Sequence, residues 1–281
     1  MSIITLTSDF GLKDYFVAAA KARLFSLAPE AKVIDISHDV DAFNIAEAAY
    51  LIHGAFSHFP ENTVHLILVD YERNREQQHV LVRYANQYFI AADNGILSLL
   101  LGNNAVAEIY EINIHEALAE HNDLQTLLHV AAHLAKNGAV SVVAKPKEKL
   151  ADTVAPEATL AANGTEIHGS AIYFDRFGNI VTNIRKRFFD SFAKAHSFEI
   201  SLPRATVSGI GSISRIVENY SDIASDERFK IIEYSSQPLA KFNDAGFLEI
   251  AVFRGNPQRS GAAQSLLGVK YLDPVVITFK S

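Results

Sequence analysis

The chain is 281 residues long, 49% hydrophobic and 20% charged, with a formal net charge of -7. This length and apolar content suit two globular domains, or one large domain, with an ample core. The negative charge provides no basic surface, so neither nucleic acid nor an anionic membrane is expected as a partner. The absence of cysteine excludes disulfides, thiolate metal sites and cysteine nucleophiles. No apolar run could span a bilayer and no signal peptide precedes the first strand pattern, so we expect a cytoplasmic protein.

The first half of the chain alternates strand patterns with helical patterns. Apolar, β-branched runs predict strands at 3–7, 33–36, 64–69, 80–82 and 88–91. Apolar residues at helical spacing predict helices at 17–27 and 45–56, from 96 onwards, and at 123–136. Alternation of this kind predicts an α/β N-terminal domain, with a mostly parallel sheet and flanking helices, over residues 1–150.

Three of these predicted strands are followed by a carboxylate, namely Asp9, Asp70 and Asp93. Open α/β sheets bind ligands outside the carboxyl ends of their strands, so the three side chains are expected to face one crevice. Aspartate is also common wherever a strand becomes a turn, and that alternative accounts for any one of them.

The second half of the chain has a different sequence pattern. A polar stretch at 145–164 predicts a linker. Short strands with turns between them follow, at 167–184, 198–202, 205–210, 229–234, 247–253 and 275–279, with one helix considered at 213–219. We therefore predict an all-β, barrel-like C-terminal domain over residues 165–281.

The strand pattern over residues 172–184 is interrupted by a polar turn, Asp175-Arg176-Phe177-Gly178-Asn179. A turn there places a carboxylate, a ring and an amide side by side, a set that can hold a flat ligand with polar edges. Alternatively, Asp175 and Asn179 only cap their own backbone. The turn by itself leaves both interpretations open.

The common function motifs are absent. The chain has no dinucleotide-binding glycine motif, Walker loop, nucleophile elbow or zinc-ligand spacing. No metal site is therefore predicted.

Five segments in order resemble one family, the S-adenosylmethionine (SAM) hydroxide adenosyltransferases, or SAM hydrolases, relatives of the bacterial fluorinase and chlorinase. They are residues 7–11 (Thr-Ser-Asp-Phe-Gly), 35–38 (Asp-Ile-Ser-His), 92–95 (Ala-Asp-Asn-Gly), 175–179 (Asp-Arg-Phe-Gly-Asn) and 247–251 (Phe-Leu-Glu-Ile-Ala). The resemblance implies an α/β domain followed by a β-barrel domain. It also implies a homotrimer, with each site between one subunit's N-terminal domain and a neighbour's C-terminal domain. The implied reaction is displacement at the ribose C5′ by water or hydroxide, with SAM as substrate and no cofactor.

Carried over onto this sequence, the resemblance implies eight substrate-binding residues: Asp9, Asp14, Phe43, Asp175, Phe177, Asn179, Phe247 and Asn256. Asp9 would hold the ribose hydroxyls, and Asp14 with Asp175 would hold the methionine ammonium. Phe43 and Phe177 would pack against the nucleoside. The two asparagines would read the adenine edge.

The catalytic region departs from the family pattern. The family follows its third-strand aspartate, here Asp70, with Pro-Gly-Val-Gly and an arginine, and later carries His-Gly-Arg-Asp. In ungapped alignment the arginine falls on Gln77 and the histidine on Asn122. A shift of one or two residues gives the catalytic set Asp70, Arg75 and His121. Without that shift the triad is lost, and the protein would be a non-catalytic adenosine or SAM binder.

Two other functions are less favoured by the sequence. A metal-dependent phosphoesterase built on the three strand-end aspartates lacks an Asp-x-Asp pair or a histidine-rich metal set. A halogenase is less favoured because the N-terminal half has no long insertion of the kind that marks those enzymes.

Overall fold

The computed structural model describes residues 2–102, 107–115, 117, 120, 122–153, 157–193, 197–205, 213–224 and 230–280. The chain divides into two compact units, Met1–Ala155 and Pro156–Ser281. We call them the N-unit and the C-unit. Each is built around its own sheet.

The N-unit contains a seven-stranded mixed sheet in the order β2-β1-β3-β5-β4-β6-β7. Its strands are β1 (Ile3–Ser8), β2 (Lys32–Ser37), β3 (Val64–Leu68), β4 (His79–Tyr84), β5 (Gln87–Ala92), β6 (Glu108–Ile112) and β7 (Ala144–Pro146). The first four in the sheet order are parallel, whereas β4, β6 and β7 each pair antiparallel with their neighbours. The prediction of a mostly parallel sheet is therefore met only in part.

Helices cover both faces of this sheet. They are α1 (Phe16–Leu27), α2 (Ile45–Ala55), α3 (Ile96–Leu101), α4 (Asp123–Ala135) and α5 (Val140–Val143). Successive strand residues point to opposite faces, and β3 is buried on both. Leu66 and Leu68 pack in a core with α1 and α4, whereas Ile67 packs in a second core with α2 and α3. This two-sided burial explains why β3 is apolar at every position except His65.

The C-unit contains an eight-stranded sheet whose main path runs β11-β15-β9-β10-β14-β13-β12. The strands are β8 (Thr159–Leu160), β9 (Glu166–Phe174), β10 (Ile180–Arg185), β11 (Ser197–Ser201), β12 (Ile216–Val217), β13 (Pro238–Phe242), β14 (Phe247–Val252) and β15 (Pro274–Lys280). An antiparallel bridge joins Ile200, in one edge strand, to Ile213, just before the other edge strand. The sheet is therefore strongly curled.

The C-unit is not all-β, because it also has the helices α6 (Lys186–Phe192) and α7 (Ala263–Leu267). The aromatic-rich segment of α6 resembles a strand in sequence but is helical. Its buried Phe189 packs edge-on against Phe198 of β11. The strand predicted at 229–234 is wrong, since Ile231–Tyr234 is a 3₁₀ turn. The helix considered at 213–219 is also wrong, since Ile216–Val217 is a strand. The strand predicted at 205–210 lies almost wholly outside the described residues.

Among the described residues, no helix combines the length and the apolarity that crossing a membrane requires.

Candidate active site

The N-unit brings the ends of four parallel strands to one edge of its sheet. Strand β1 lies between β2 and β3, so the chain leaves β1 for one side and later returns on the other. Such a reversal of strand order opens a crevice at the carboxyl ends of the strands, where α/β proteins bind ligands. Asp9 follows β1, His38 follows β2 and Asp70 lies just beyond β3. The predicted crevice therefore has a topological basis.

Asp9 is fixed to the loop before α2 by one hydrogen bond. The backbone N–H of Phe43 donates to Asp9 Oδ2 at 3.0 Å. Phe43 has φ +65°, a left-handed conformation that costs a non-glycine residue roughly 1–2 kcal/mol, and its side chain is 71% exposed. Strained backbone of this kind concentrates at binding sites, where neighbouring contacts hold it in place. The structure therefore brings two predicted binding residues, Asp9 and Phe43, together.

A series of polar side chains, buried at Ser8 and His38 and partly exposed at Asp35 and Lys21, supports the end of β1 beside Asp9. Ser8 Oγ lies 2.7 Å from His38 Nδ1, and His38 Nε2 lies 3.1 Å from Asp35 Oδ1. Lys21 Nζ is 2.5 Å from the other oxygen of Asp35. Burial raises the pKa of Asp35, but the bonds from Lys21 and His38 outweigh it and hold the pKa below its usual range. Ser8 is buried, so this serine–histidine–aspartate series holds the strand end in position rather than presenting a nucleophile.

Asp93, the third strand-end carboxylate, has a structural role. Its Oδ1 accepts the backbone N–H of Ala151 at 2.8 Å, and Lys147 Nζ lies 3.4 Å from its Oδ2. Both carboxylate oxygens thus hold the segment that follows β7. The aspartates are therefore not equivalent, because Asp93 is tied to the segment that follows β7.

Asp70 is positioned through its backbone. Its φ is +47°, and its carbonyl accepts Gln77 Nε2 at 2.7 Å and Asn94 Nδ2 at 3.2 Å. Its carboxylate forms no hydrogen bond or ion pair with another described residue. Gln77, which occupies the family's arginine position in ungapped alignment, closes the 70–77 loop through this contact and a second one to the Glu72 carbonyl at 3.0 Å.

Within the described part of the chain, no hydrogen bond or ion pair joins Asp70 to Arg75, and the predicted catalytic set stays a prediction. Arg75 is exposed, and its guanidinium contacts no other described residue through a hydrogen bond or ion pair. His121 lies outside the described residues. Arg73 is instead the held arginine, because its Nε donates to Asp123 Oδ1 at 2.8 Å and its backbone N–H to Asp123 Oδ2 at 2.7 Å.

In the C-unit, Asp175 organises the turn between β9 and β10. Its Oδ1 accepts the backbone N–H groups of Phe177 at 2.9 Å and Asn179 at 2.8 Å, and its Oδ2 accepts Asn179 Nδ2 at 2.8 Å. Asp175 therefore does cap the backbone of its own turn, as the alternative interpretation of the sequence predicted. In this turn the Phe177 ring is 69% exposed.

This turn is joined to the loop at 254–262. The N–H of Gln264 donates to the Gly178 carbonyl at 2.9 Å. Gly178 has φ +73°, and a Cβ on it would lie 2.6 Å from Ala262 Cβ and 3.2 Å from Pro257 Cγ. Asn256 lies within the same loop and bridges to Gly261. Phe177, Asn179 and the Asn256 loop thus form one cluster, which requires glycine at position 178.

Two predicted binding residues lie outside these clusters. Phe247 is buried, with the Arg185 guanidinium 4.6 Å from its ring centre. It pairs with Arg185, at the end of β10 that lies away from Asn179. The structure therefore places Phe247 away from the Asp175–Asn179 turn. Asp14 is exposed just before α1 and has no described hydrogen bond or ion pair.

A buried acid in the C-unit was missed as a functional candidate. Tyr220 donates its hydroxyl to Glu249 Oε1 at 2.5 Å, and Glu249 is buried in β14. Burial raises the pKa of Glu249, and the nearby Asp175 carboxylate raises it further. The only sequence signal was its position within the 247–251 segment. Its partner, Tyr220, has no signal at all.

These geometries define the class of site. The N-unit has the switch point of an α/β sheet, with one braced carboxylate, one carboxylate free of described partners, and an exposed ring near the strand ends. The C-unit has an exposed ring beside an amide. Carboxylates suit hydroxyl and ammonium groups, and exposed rings suit a flat base.

Comparison with known proteins identifies the family. A family model for the SAM hydroxide adenosyltransferase N-terminal domain matches residues 4–144, and one for the C-terminal domain matches residues 169–276. The chain belongs to the SAM hydroxide adenosyltransferase family.

The two hydrolases and one solved structure match nearly the whole chain, and a fluorinase matches two thirds of it. An (R)-S-adenosyl-L-methionine hydrolase of Methanocaldococcus jannaschii is 29% identical, covering 99% of this chain and 97% of its own. One of Thermus thermophilus is 27% identical, covering 98% and 99%. A fluorinase of Actinopolyspora mzabensis is 25% identical, covering 67% and 73%. The structure of an uncharacterized conserved protein from Thermotoga maritima matches with a TM-score of 0.78 at 27% identity, covering 99% of this chain and 100% of that chain.

Proposed function

We propose that this protein hydrolyses SAM to adenosine and L-methionine, by attack of water or hydroxide on the ribose C5′. The observation that carries the proposal is the contrast among the three strand-end aspartates. Asp9 and Asp70 follow neighbouring strands, which lie ~4.8 Å apart, and each has carboxylate capacity to spare, whereas Asp93 has both oxygens engaged. The two relatives named as hydrolases support the same reaction.

We propose that the substrate is bound by residues that hydrogen bonds or exposed loops already position. Asp9 keeps one oxygen on the Phe43 N–H and offers the other to the ribose hydroxyls. The exposed rings of Phe43 and Phe177 pack on the nucleoside. Asn179 has its amide N–H on Asp175, so its carbonyl oxygen is the atom available to accept from an adenine amine.

The chemical step needs positioning rather than strong acid catalysis. A water oxygen forms a bond to C5′ as the C5′–sulfur bond breaks, and that electron pair returns to sulfur, giving the neutral thioether of methionine. Because the sulfonium is already a good leaving group, the protein has to align the nucleophile and take its proton. We propose that Asp70 orients the water and that a guanidinium favours hydroxide. Arg75 suits this task better than Arg73, which is held by Asp123. His121 stays the proposed proton acceptor.

The assembly and the absence of a catalytic cofactor are also proposals. A homotrimer would bring a neighbouring subunit's C-unit to each N-unit crevice, as the family resemblance implies. Light scattering during size-exclusion chromatography measures the oligomer directly. A monomer at the concentration used for catalysis, with full activity, would contradict it.

The test of the function is calorimetry combined with product analysis. We expect adenosine and SAM each to bind, and adenosine and methionine to accumulate in equal amounts from SAM without added metal or halide. Binding without turnover would reduce the protein to an adenosine or SAM binder. Turnover that depends on chloride or fluoride would indicate a halogenase.

A further inference from the structure

Three metal-ligand side chains converge in the N-unit, outside the proposed catalytic set. His79 begins β4, His115 follows β6, and Asp123 begins α4. One ligand atom from each lies within 4.8 Å of the other two. The three come from separate elements, so the cluster is produced by the fold rather than by local sequence spacing. This is why no sequence motif reveals it.

The histidine nitrogens of this cluster are short of partners. His79 is 0% exposed, and its Nε2 lies 2.7 Å from the Tyr71 carbonyl, to which it can only donate. Its Nδ1 is therefore the lone-pair nitrogen, and that atom is buried without a partner among the described residues. Both ring nitrogens of His115 are also buried without a hydrogen-bond partner among the described residues. Each buried polar atom without a hydrogen bond costs about 1–3 kcal/mol, so three together require an explanation.

The ligand types suit a metal. The Tyr71 carbonyl fixes the proton of His79 on Nε2, which leaves Nδ1 as the ligand atom. The Asp123 carboxylate is held in place by its two hydrogen bonds from Arg73. Two neutral imidazoles and a carboxylate form the ligand set of many zinc sites. Carbonyl-bound histidines and hydrogen-bonded carboxylates, as seen here with Tyr71 and Arg73, are the usual outer contacts of such ligands.

We propose that His79, His115 and Asp123 bind one divalent transition-metal ion of the Zn²⁺ class, which fastens the 70–77 loop. Tyr71 and Arg73 belong to that loop and contact two of the three ligands. The ion would therefore hold the loop, and Asp70 with it, to β4 and α4. Its role is structural, and the proposed displacement at C5′ does not pass through it. The Asp123 side chain is 20% exposed, which gives the ion a path from solvent.

The test measures metal directly and does not depend on activity. Tag-free protein is stripped with chelator, exposed in turn to Zn²⁺, Co²⁺ or Mg²⁺, desalted, and analysed for bound metal by mass spectrometry. We expect about one equivalent of Zn²⁺ or Co²⁺ per chain and no Mg²⁺, because nitrogen ligands favour the borderline transition metals. The Co²⁺ form should show the visible absorption of a four- or five-coordinate site. Zn²⁺ should raise the melting temperature.

Variants assign the site. His115→Gln should lose the metal and the Co²⁺ spectrum, whereas His168→Gln, at an exposed histidine of the C-unit, should keep both. If His115→Gln does not fold, Asp123→Asn, which can retain one bond from Arg73, should weaken Zn²⁺ binding at least tenfold. Wild-type protein that retains no Zn²⁺ or Co²⁺ would overturn the proposal and leave a buried water as the partner of these nitrogens. Equal metal retention by wild type and His115→Gln would overturn it as well.

Discussion

The buried histidine of β3, His65, should make the stability of the N-unit depend on acid pH. Its Nδ1 is 2.8 Å from the Thr5 hydroxyl and its Nε2 is 2.8 Å from the Gln87 side-chain oxygen. Its ring also stacks on Phe89 at 4.6 Å. The amide oxygen can only accept, so the neutral ring donates from Nε2 and accepts at Nδ1. A proton added at Nδ1 would leave a charge in the core, and burial accordingly lowers the pKa of His65 from 6.5 to about 4.

The size and sign of the effect follow from linkage. Between pH 6.5 and about 4 the unfolded state binds a proton at this histidine that the folded state does not. The free energy of unfolding therefore falls as pH falls through this window, and the contribution of His65 is fully present above the unfolded pKa. The gap between a pKa of 6.5 in the unfolded state and about 4 in the folded state is equivalent to about 3.5 kcal/mol. Roughly 3 kcal/mol of this is lost by pH 4, where half of the folded molecules already carry the proton.

Urea unfolding of wild type and His65→Gln, from pH 7.5 to pH 4, measures this effect. The difference between the two removes the contribution of the other histidines, including His79. We expect the advantage of wild type over His65→Gln to shrink by roughly 3 kcal/mol on acidification. A difference that stays constant over the whole range would refute the reasoning. If the variant does not fold, NMR titration of the His65 ring protons gives the folded pKa directly, and a value near 6.5 would have the same meaning.

Three further predictions concern the two site clusters. Gly178→Ala should lower the unfolding free energy by ~2–4 kcal/mol in a denaturation assay, because of left-handed strain and the clash with Ala262. The control Gly246→Ala is also at positive φ but has open space around it, so its unfolding free energy should fall by only ~1–2 kcal/mol. Phe43→Gly should be at least as stable as Phe43→Ala, because glycine accepts φ +65°, and calorimetry should find adenosine binding weakened in both; unchanged affinity would remove the ring from the site. Asp9→Asn keeps an acceptor for the loop but loses a charged one for ribose, so its adenosine Kd should rise about tenfold to a hundredfold; an unchanged Kd would contradict the assignment.

Much of the N-unit could be predicted because its strands are strongly apolar and end in polar turns. The alternation of strands and helices and the strand-end positions of Asp9 and Asp70 follow from that pattern. The sheet is less parallel than predicted, because β4 and β5 form a hairpin and β6 and β7 add antiparallel pairs. Which neighbours a strand takes depends on packing over the whole domain, which local periodicity does not encode.

The limits of the sequence are clearest where a side chain has a partner far along the chain. Asp93 follows a strand in the sequence just as Asp9 does. In the structure, however, its carboxylate accepts the backbone N–H of Ala151, 58 residues away. Glu249 reads as a strand residue, and only the fold brings it to Tyr220. In the 70–77 loop, Gln77 binds the Asp70 carbonyl and Arg73 binds Asp123, two contacts that the alignment does not reveal. Arg75 and His121 stay predictions.

The central claim, attack of water on C5′ directed by Asp70, is tested most directly by hydrolysis in oxygen-18 water. Wild type, Asp70→Asn and the matched strand-end variant Asp93→Asn are incubated with SAM, and the products are separated by chromatography and weighed by mass spectrometry. The account predicts one oxygen-18 atom in the 5′-hydroxyl of adenosine and none in methionine. It further predicts turnover lowered at least a hundredfold in Asp70→Asn, with adenosine binding retained, and near-normal turnover in the folded fraction of Asp93→Asn. Unlabelled adenosine, or wild type and Asp70→Asn that bind adenosine equally and are equally inert, would contradict it.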